Sequence, residues 1–192
     1  GDGITPNQTY KKDVDELVPH VERKNWTDLR EKLAKTGIRN STLMALMPAE
    51  TSAQISNATN GVEPPRSFVS VKQSKDGVLK QVVPGFPYYK NKYELLWDQE
   101  SPEGYIQIMA ILQKYVDQGI SVNTSYNPQF FDDEKIPMSV MLKDVITAYK
   151  YGMKQLYYFN TFDGAGDDLA EKEVIHLEVP DVVEEDCESC VI

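Results

Sequence analysis

The strongest constraint on the fold is the alternation of helical and extended patterns in the second half of the chain. Residues 105–118 carry apolar side chains at helical spacing, and residues 120–126 then have an extended pattern. A second helical pattern begins at Pro137 and closes at Gly152, and residues 155–160 form a short aromatic run that is typical of a strand. Strands that alternate with helices predict an α/β fold.

Each helical pattern also predicts which side chains face the core, because residues three and four positions apart lie on the same face of a helix. The first predicted face comprises Tyr105, Ile108, Met109, Leu112, Tyr115 and Val116. The second comprises Met141, Leu142, Val145, Ile146 and Tyr149. We expect both faces to pack inside the protein.

Shorter local signals occur in the first half of the chain. Asn25 is suited to cap a helix that starts at Trp26, and Gly37 is suited to end it. Residues 41–47 form a largely apolar run, which predicts a buried strand. Two extended runs within residues 68–83 flank an Asp-Gly pair and predict a hairpin.

The acidic charge is concentrated at one end of the chain. The net charge is −10, yet residues 1–162 contain nineteen residues of each sign. Residues 163–192 contain eleven acidic residues and one basic residue, Lys172. Because blocks of like charge are usually disordered, we predict a folded part at 1–162 and a disordered acidic tail at 163–192. The sequence has no basic stripe and no apolar run of membrane-spanning length, which argues against nucleic-acid and membrane partners.

Both cysteines of the chain, Cys187 and Cys190, lie in this acidic tail. A C-x-x-C pair near a chain end predicts a dithiol that another protein can reach. Because no export signal is visible, the pair also predicts a reducing, cytoplasmic location. Half of a zinc site and an inert tail are the alternatives. The histidines, His20 and His176, have a spacing unsuited to zinc, so we predict no metal site.

The segment Pro48-Ala49-Glu50-Thr51-Ser52 is a candidate binding site at a strand-to-helix junction. Proline is tolerated in the first turn of a helix, so a helix is predicted from about Glu50. The first N–H groups of a helix lack partners within it and lie at the positive end of its dipole. Together with the hydroxyls of Thr51 and Ser52, these groups could hold a phosphate. The alternative is an ordinary capped helix.

A second candidate site is the adjacent pair Tyr157 and Tyr158. Successive strand residues point to opposite faces, yet neighbouring tyrosines can stack where a strand bends into a loop. Two touching phenols could pass an electron and a proton in sequence. The alternative is an aromatic strand that fills a core.

Long stretches of the chain resemble the large, catalytic subunit of class I ribonucleotide reductase near its C-terminus. These stretches are residues 39–52, 54–66, 93–97, 156–158, 160–161 and 187–189. The resemblance spans nearly the whole chain and is closest to the class Ia type, which reduces ribonucleoside diphosphates. It implies that the fold is the C-terminal portion of a ten-stranded α/β barrel.

The resemblance implies a role for each candidate site. Residues 48–52 would bind the diphosphate of the ribonucleoside diphosphate substrate. Tyr157 and Tyr158 would form the stacked end of a radical-transfer chain that arrives from the small, di-iron subunit. Cys187 and Cys190 would re-reduce the active-site disulfide after each turnover and would themselves be reduced by thioredoxin or glutaredoxin.

Some features depart from the family pattern. Ala49 stands where the family often has Ser, Phe159 replaces a more usual polar residue, and the cysteine pair is more closely spaced than is common. The family's active site also needs three further cysteines, an Asn and a Glu, and both cysteines of this chain are in the tail.

We therefore expect this chain to hold no cofactor and to act with an N-terminal chain or portion of the large subunit. That partner would supply the thiyl-radical cysteine and the nucleotide effector sites. Such a chain could be a phage-type split subunit or a fragment. The alternative is a non-catalytic module that docks onto a reductase complex.

Overall fold

The computed structural model describes residues 11–19, 21, 23–59, 61–75 and 77–164. The helices are α1 (Lys12–Leu17), α2 (Trp26–Thr36), α3 (Glu50–Ile55), α4 (Phe86–Tyr89), α5 (Glu103–Gln113) and α6 (Met138–Lys150). The strands are β1 (Val69–Ser74), β2 (Gly77–Val82), β3 (Thr124–Tyr126) and β4 (Phe159–Thr161). Short 3₁₀ turns occupy Lys90–Lys92, Leu96–Asp98, Pro128–Phe130 and Asp132–Glu134. The cysteines of the predicted tail lie outside the described residues, so its disorder stays a prediction.

The main core forms around α5. The fully buried members of this core include Ile106, Met109, Ile120 and Val122. Strands β3 and β4 pair in parallel beside it, and Leu46 forms a parallel bridge with Ile120. Parallel strands with helical connections agree with the predicted α/β class. Strands β1 and β2 form a separate antiparallel hairpin.

The turn between α5 and β3 is closed by one buried side chain, Gln113. Its Nε2 donates to the carbonyl oxygens of Val116 at 2.9 Å and Gln118 at 2.7 Å. Its Oε1 accepts a bond from the Ile120 N–H at 3.2 Å. Because a buried polar group without partners is costly, these three bonds allow a polar side chain to lie in the core and fix the path into β3.

Several local predictions are confirmed. Asn25 caps α2 by accepting a bond from the Asp28 N–H at 2.9 Å, and the Gly37 N–H closes the last turn onto the Leu33 carbonyl at 2.8 Å. The predicted hairpin forms with Gly77 at φ 137°, a backbone angle that favours glycine. These features depend on neighbouring residues, so the sequence alone is sufficient to predict them.

The predicted core face of the first amphipathic helix is partly wrong. Ile108 and Tyr115 are exposed, whereas Ile106, Ala110 and Gln113 are buried. The predicted face was placed so that it excluded Ile106, and because the pattern counted large apolar residues it also missed a small residue, Ala110, and a hydrogen-bonded polar one, Gln113. The helix also ends at Gln113 and not near residue 118, because the Gln113 side chain bonds the following turn.

The predicted core face of α6 is wrong for most of its residues. Leu142, Ile146 and Tyr149 are exposed, and the buried residues of this helix are Asp144 and Ala148. The buried side of α6 is thus determined by a small residue, Ala148, in the core around α5 and by the Asp144 carboxyl, which bonds Tyr126 of β3. In the part of the chain that the structure describes, no helix is long and apolar enough to cross a bilayer.

Two predicted strands are shorter than expected. Residues 41–47 are extended but contribute a single bridge, at Leu46, while Leu43, Met44 and Met47 stay exposed. This segment is partnered through Asp117, whose Oδ2 accepts bonds from two of its N–H groups. The predicted aromatic strand at residues 155–160 begins only at Phe159.

Candidate functional site

Tyr157 and Tyr158 form a contacting pair at the surface. Their ring centroids are 4.2 Å apart with an interplanar angle of 53°. The Tyr158 hydroxyl donates to the Tyr157 hydroxyl over 3.4 Å. This bond, with the charge of the neighbouring phenol and a smaller effect of burial, raises the pKa of Tyr158. The two phenols are therefore placed to exchange a proton directly.

Backbone tethers explain how adjacent tyrosines come together. The Tyr157 N–H donates to the Val122 carbonyl at 2.7 Å, and the Thr124 N–H donates to the Tyr158 carbonyl at 2.9 Å. The pair lies just before β4, where the chain is held beside β3 but is not yet regular strand. Each tyrosine side chain is 55% exposed, so neither fills the core as the alternative interpretation required.

The side chain of Asn123 links the tyrosine pair to Glu63, which is distant in sequence. Asn123 Nδ2 donates to Glu63 Oε1 at 2.5 Å, and Asn123 Oδ1 accepts a bond from the Tyr158 N–H at 3.2 Å. Both Asn123 and Glu63 are half-buried. Burial and the nearby Glu63 charge together raise the pKa of Tyr105. Sequence reasoning missed Asn123 and Glu63, since a pair separated by 60 positions leaves no local signal.

The junction at Pro48–Ser52 has the predicted helix start, but the segment before it forms only a single bridge, at Leu46. Helix α3 begins at Glu50, and the Ala53 N–H bonds the Ala49 carbonyl at 2.7 Å. Ala49 occupies the N-cap position with no side-chain cap bond, and both the phosphate site and an ordinary helix start are compatible with this geometry. Thr51 and Ser52 are exposed, which leaves their hydroxyls accessible to a ligand.

The junction and the tyrosine pair are connected through Glu63. Pro48, Gly61, Glu63 and Tyr105 line one small cleft. Gly61 has φ 59°, and a Cβ placed there would lie 3.9 Å from Pro48 Cα. The structure thus gives an indirect link from the junction to the pair through the segment that carries Glu63. Cys187 and Cys190 lie outside the described residues, and within those residues no cluster of metal ligands occurs.

Comparisons with known proteins match this chain to one family along most of its length. A family model described as "Ribonucleotide reductase, barrel domain" matches residues 2–159. The chain is 59% identical over 165 residues to the ribonucleoside-diphosphate reductase subunit alpha of Haemophilus influenzae, which covers 86% of this chain and 22% of that protein.

Two further relatives match a larger share of the chain. Identity is 52% over 187 residues with ribonucleoside-diphosphate reductase 1 subunit alpha of Escherichia coli, covering 97% of this chain and 24% of that protein. Identity is 43% over 190 residues with the subunit alpha of Enterobacteria phage T4, covering 98% of this chain and 24% of that protein. The chain therefore spans 22–24% of the length of these relatives.

Proposed function

Because this chain belongs to the ribonucleotide reductase barrel-domain family, we propose that it works as the C-terminal portion of a large subunit that reduces ribonucleoside diphosphates to deoxyribonucleoside diphosphates. The observation that carries the proposal is the contact between Tyr157 and Tyr158, whose hydroxyl oxygens are 3.4 Å apart. A structural pair of aromatic residues would more often be buried. Here both phenols are exposed and joined through their reactive oxygens.

In this proposal the tyrosine pair conducts the radical. When one phenol is a phenoxyl radical, the other gives it one electron and one proton, so that the first returns to a phenol and the second becomes the radical. The bond between the two hydroxyls supplies the path for the proton. The small subunit, with its di-iron centre, would provide the oxidising equivalent, and this chain would hold no cofactor itself.

The junction at residues 48–52 would bind the substrate's diphosphate. Backbone N–H groups at the start of α3 and the exposed hydroxyls of Thr51 and Ser52 suit phosphate oxygens. Ala49 has no side-chain hydroxyl, so any contact from this position to the phosphate would come from its backbone.

The terminal dithiol would carry reducing equivalents. Cys187 and Cys190 would transfer two electrons and two protons to the active-site disulfide. That disulfide would become two thiols while the shuttle pair became a disulfide. Thioredoxin or glutaredoxin would then reduce the shuttle pair.

We propose that this chain associates with another protein chain, and its small sheets support that proposal. In the part of the chain that the structure describes, the parallel sheet contains two strands of three residues each, β3 and β4. Such a short strand pairing adds little stability by itself, and unpaired edges favour pairing with another chain. The partner would be the rest of the large subunit, which would supply the thiyl cysteine and the effector sites.

The decisive experiment is reconstitution. Diphosphate reduction is measured after this chain is mixed with the N-terminal portion of the large subunit, the small subunit and a reductant. We expect turnover with the full set and none when this chain is omitted. Normal assembly without turnover would instead favour the non-catalytic module.

A further inference from the structure

Asn123 joins two segments that are distant in sequence. Its amide nitrogen bonds Glu63, 60 positions earlier, and its amide oxygen accepts a bond from the N–H of Tyr158, 35 positions later. A neutral amide that donates to a carboxylate makes a charge-assisted bond, which is stronger than a bond between neutral groups. One side chain therefore couples the cleft beside the junction to the tyrosine pair.

The two hydrogen bonds of the Asn123 side chain lie next to the two candidate sites, the Pro48–Ser52 junction and the tyrosine pair. At one end, Glu63 follows Gly61, which passes close to Pro48. At the other, the Asn123 bond adds to two backbone bonds that hold the tyrosine pair. Those two backbone bonds use no atom of residue 123. The third bond needs a side-chain acceptor, and the contact with Glu63 needs a donor on the same side chain.

We infer that Glu63 and Asn123 are positioning residues that set the place of the tyrosine pair relative to the Pro48–Ser52 junction. This inference rests on the proposed function and extends it to two residues outside the candidate sites predicted from the sequence. Transfer of an electron and a proton demands close alignment, and misplacement by about 1 Å can cost on the order of 100-fold in rate. Asn123 holds the Tyr158 backbone at a fixed position relative to the segment that carries Glu63, beside the Pro48–Ser52 junction. This bridge therefore protects that alignment.

The test uses the assembled reductase with variants at the bridge. Asn123→Ala removes both bonds, and we expect kcat to fall about 10- to 100-fold. The KM for the diphosphate should change by less than about threefold, because residues 48–52 keep their own contacts. Glu63→Gln retains an acceptor oxygen, so its loss should be smaller than that of Glu63→Ala.

A reciprocal exchange separates positioning from a general structural role. Asn123→Asp places two carboxylates in contact and should reduce kcat. Adding Glu63→Gln to that variant restores the bridge with the donor on the other side: the introduced amide donates to the introduced carboxylate, whose second oxygen accepts from Tyr158 N–H. We expect the double variant to recover most of the kcat lost in Asn123→Asp.

Matched controls make each outcome decisive. Gln155→Ala removes a hydrogen bond to Ser121 in the neighbouring segment and should leave kcat unchanged. Tyr158→Phe tests the proposed function itself, and full turnover in that variant would overturn the radical role of the pair. If Tyr158→Phe is inactive but Asn123→Ala turns over at the wild-type rate, the positioning role is wrong and the proposed function survives. Should Asn123→Ala fail to assemble, the exchange decides, because a double variant no faster than Asn123→Asp contradicts the inference.

Discussion

The hydroxyl of Tyr126 in β3 donates a hydrogen bond to Oδ2 of Asp144 in α6 over 3.0 Å, and both side chains are buried. Burial raises the pKa of Asp144, and the bond from Tyr126 opposes that rise. Burial is also the main cause that raises the pKa of Tyr126 to about 12. This bond turns the Asp144 side of α6 toward β3.

Removal of the Tyr126 hydroxyl should destabilise the fold. Tyr126→Phe leaves a buried carboxyl oxygen without its donor, so we expect the free energy of unfolding to fall by about 1–3 kcal/mol. Urea unfolding of the chain measures the change. Tyr88→Phe, at a position that is 70% exposed, is the control and should change stability by less than about 0.5 kcal/mol. Equal effects of the two substitutions would contradict the role of the buried bond.

Asp144 should give the stability a specific dependence on pH. Its pKa in the folded state lies above the ordinary value of 3.8. As pH rises from that value toward the folded-state pKa, the unfolded chain loses this proton first, so stability falls with rising pH. Asp144→Asn keeps an acceptor for Tyr126 but cannot titrate. As pH rises across that interval, the unfolding free energy of Asp144→Asn should therefore increase relative to that of the unsubstituted protein. Parallel pH profiles would show that Asp144 is not the group responsible.

Gln113 is expected to be essential to the turn that leads into β3. Gln113→Leu preserves volume but leaves the Val116 carbonyl, the Gln118 carbonyl and the Ile120 N–H without this partner. Because each buried unsatisfied group costs about 1–3 kcal/mol, the loss should exceed about 2 kcal/mol. Gln107→Leu on the same helix is the comparison and should cost less. Thermal unfolding that ranks the two in the opposite order would refute this account.

Substitution of either tyrosine of the pair should stop the reaction without preventing substrate binding. Tyr157→Phe and Tyr158→Phe keep the ring but remove the O–H that carries the proton. We expect turnover of the assembled enzyme to be lost while the affinity for the diphosphate stays unchanged, as measured by equilibrium binding. Normal turnover in either variant would remove the radical-transfer role.

The proposed shuttle role of the terminal cysteines predicts a dependence on the reductant. Cys187→Ser should lose turnover with thioredoxin, because the protein reductant has no shuttle to reduce. A small dithiol that enters the active site directly should still support one or a few cycles. Equal loss with both reductants would contradict the shuttle.

The helix boundaries and the core illustrate how far the sequence alone can go. The α2 caps, the hairpin and the start of α3 were predicted correctly, because each depends on residues within a few positions. The buried faces of α5 and α6 were partly or largely mispredicted. Hydrophobic spacing cannot register that Gln113 is buried with backbone partners in the following turn, or that Asp144 is buried with Tyr126 as its partner.

The sequence by itself determined the family, short-range features such as the α2 caps and the hairpin, and the residues proposed for substrate, radical and redox chemistry, because those signals lie in contiguous stretches such as residues 48–52 and 157–158. The tertiary structure decided that the two tyrosines touch at the surface and that Asn123 ties Tyr158 to Glu63. The physical reason is that a hydrogen bond depends on distance in space. Parallel pairing of β3 with β4 brings together groups that lie 35 positions apart along the chain.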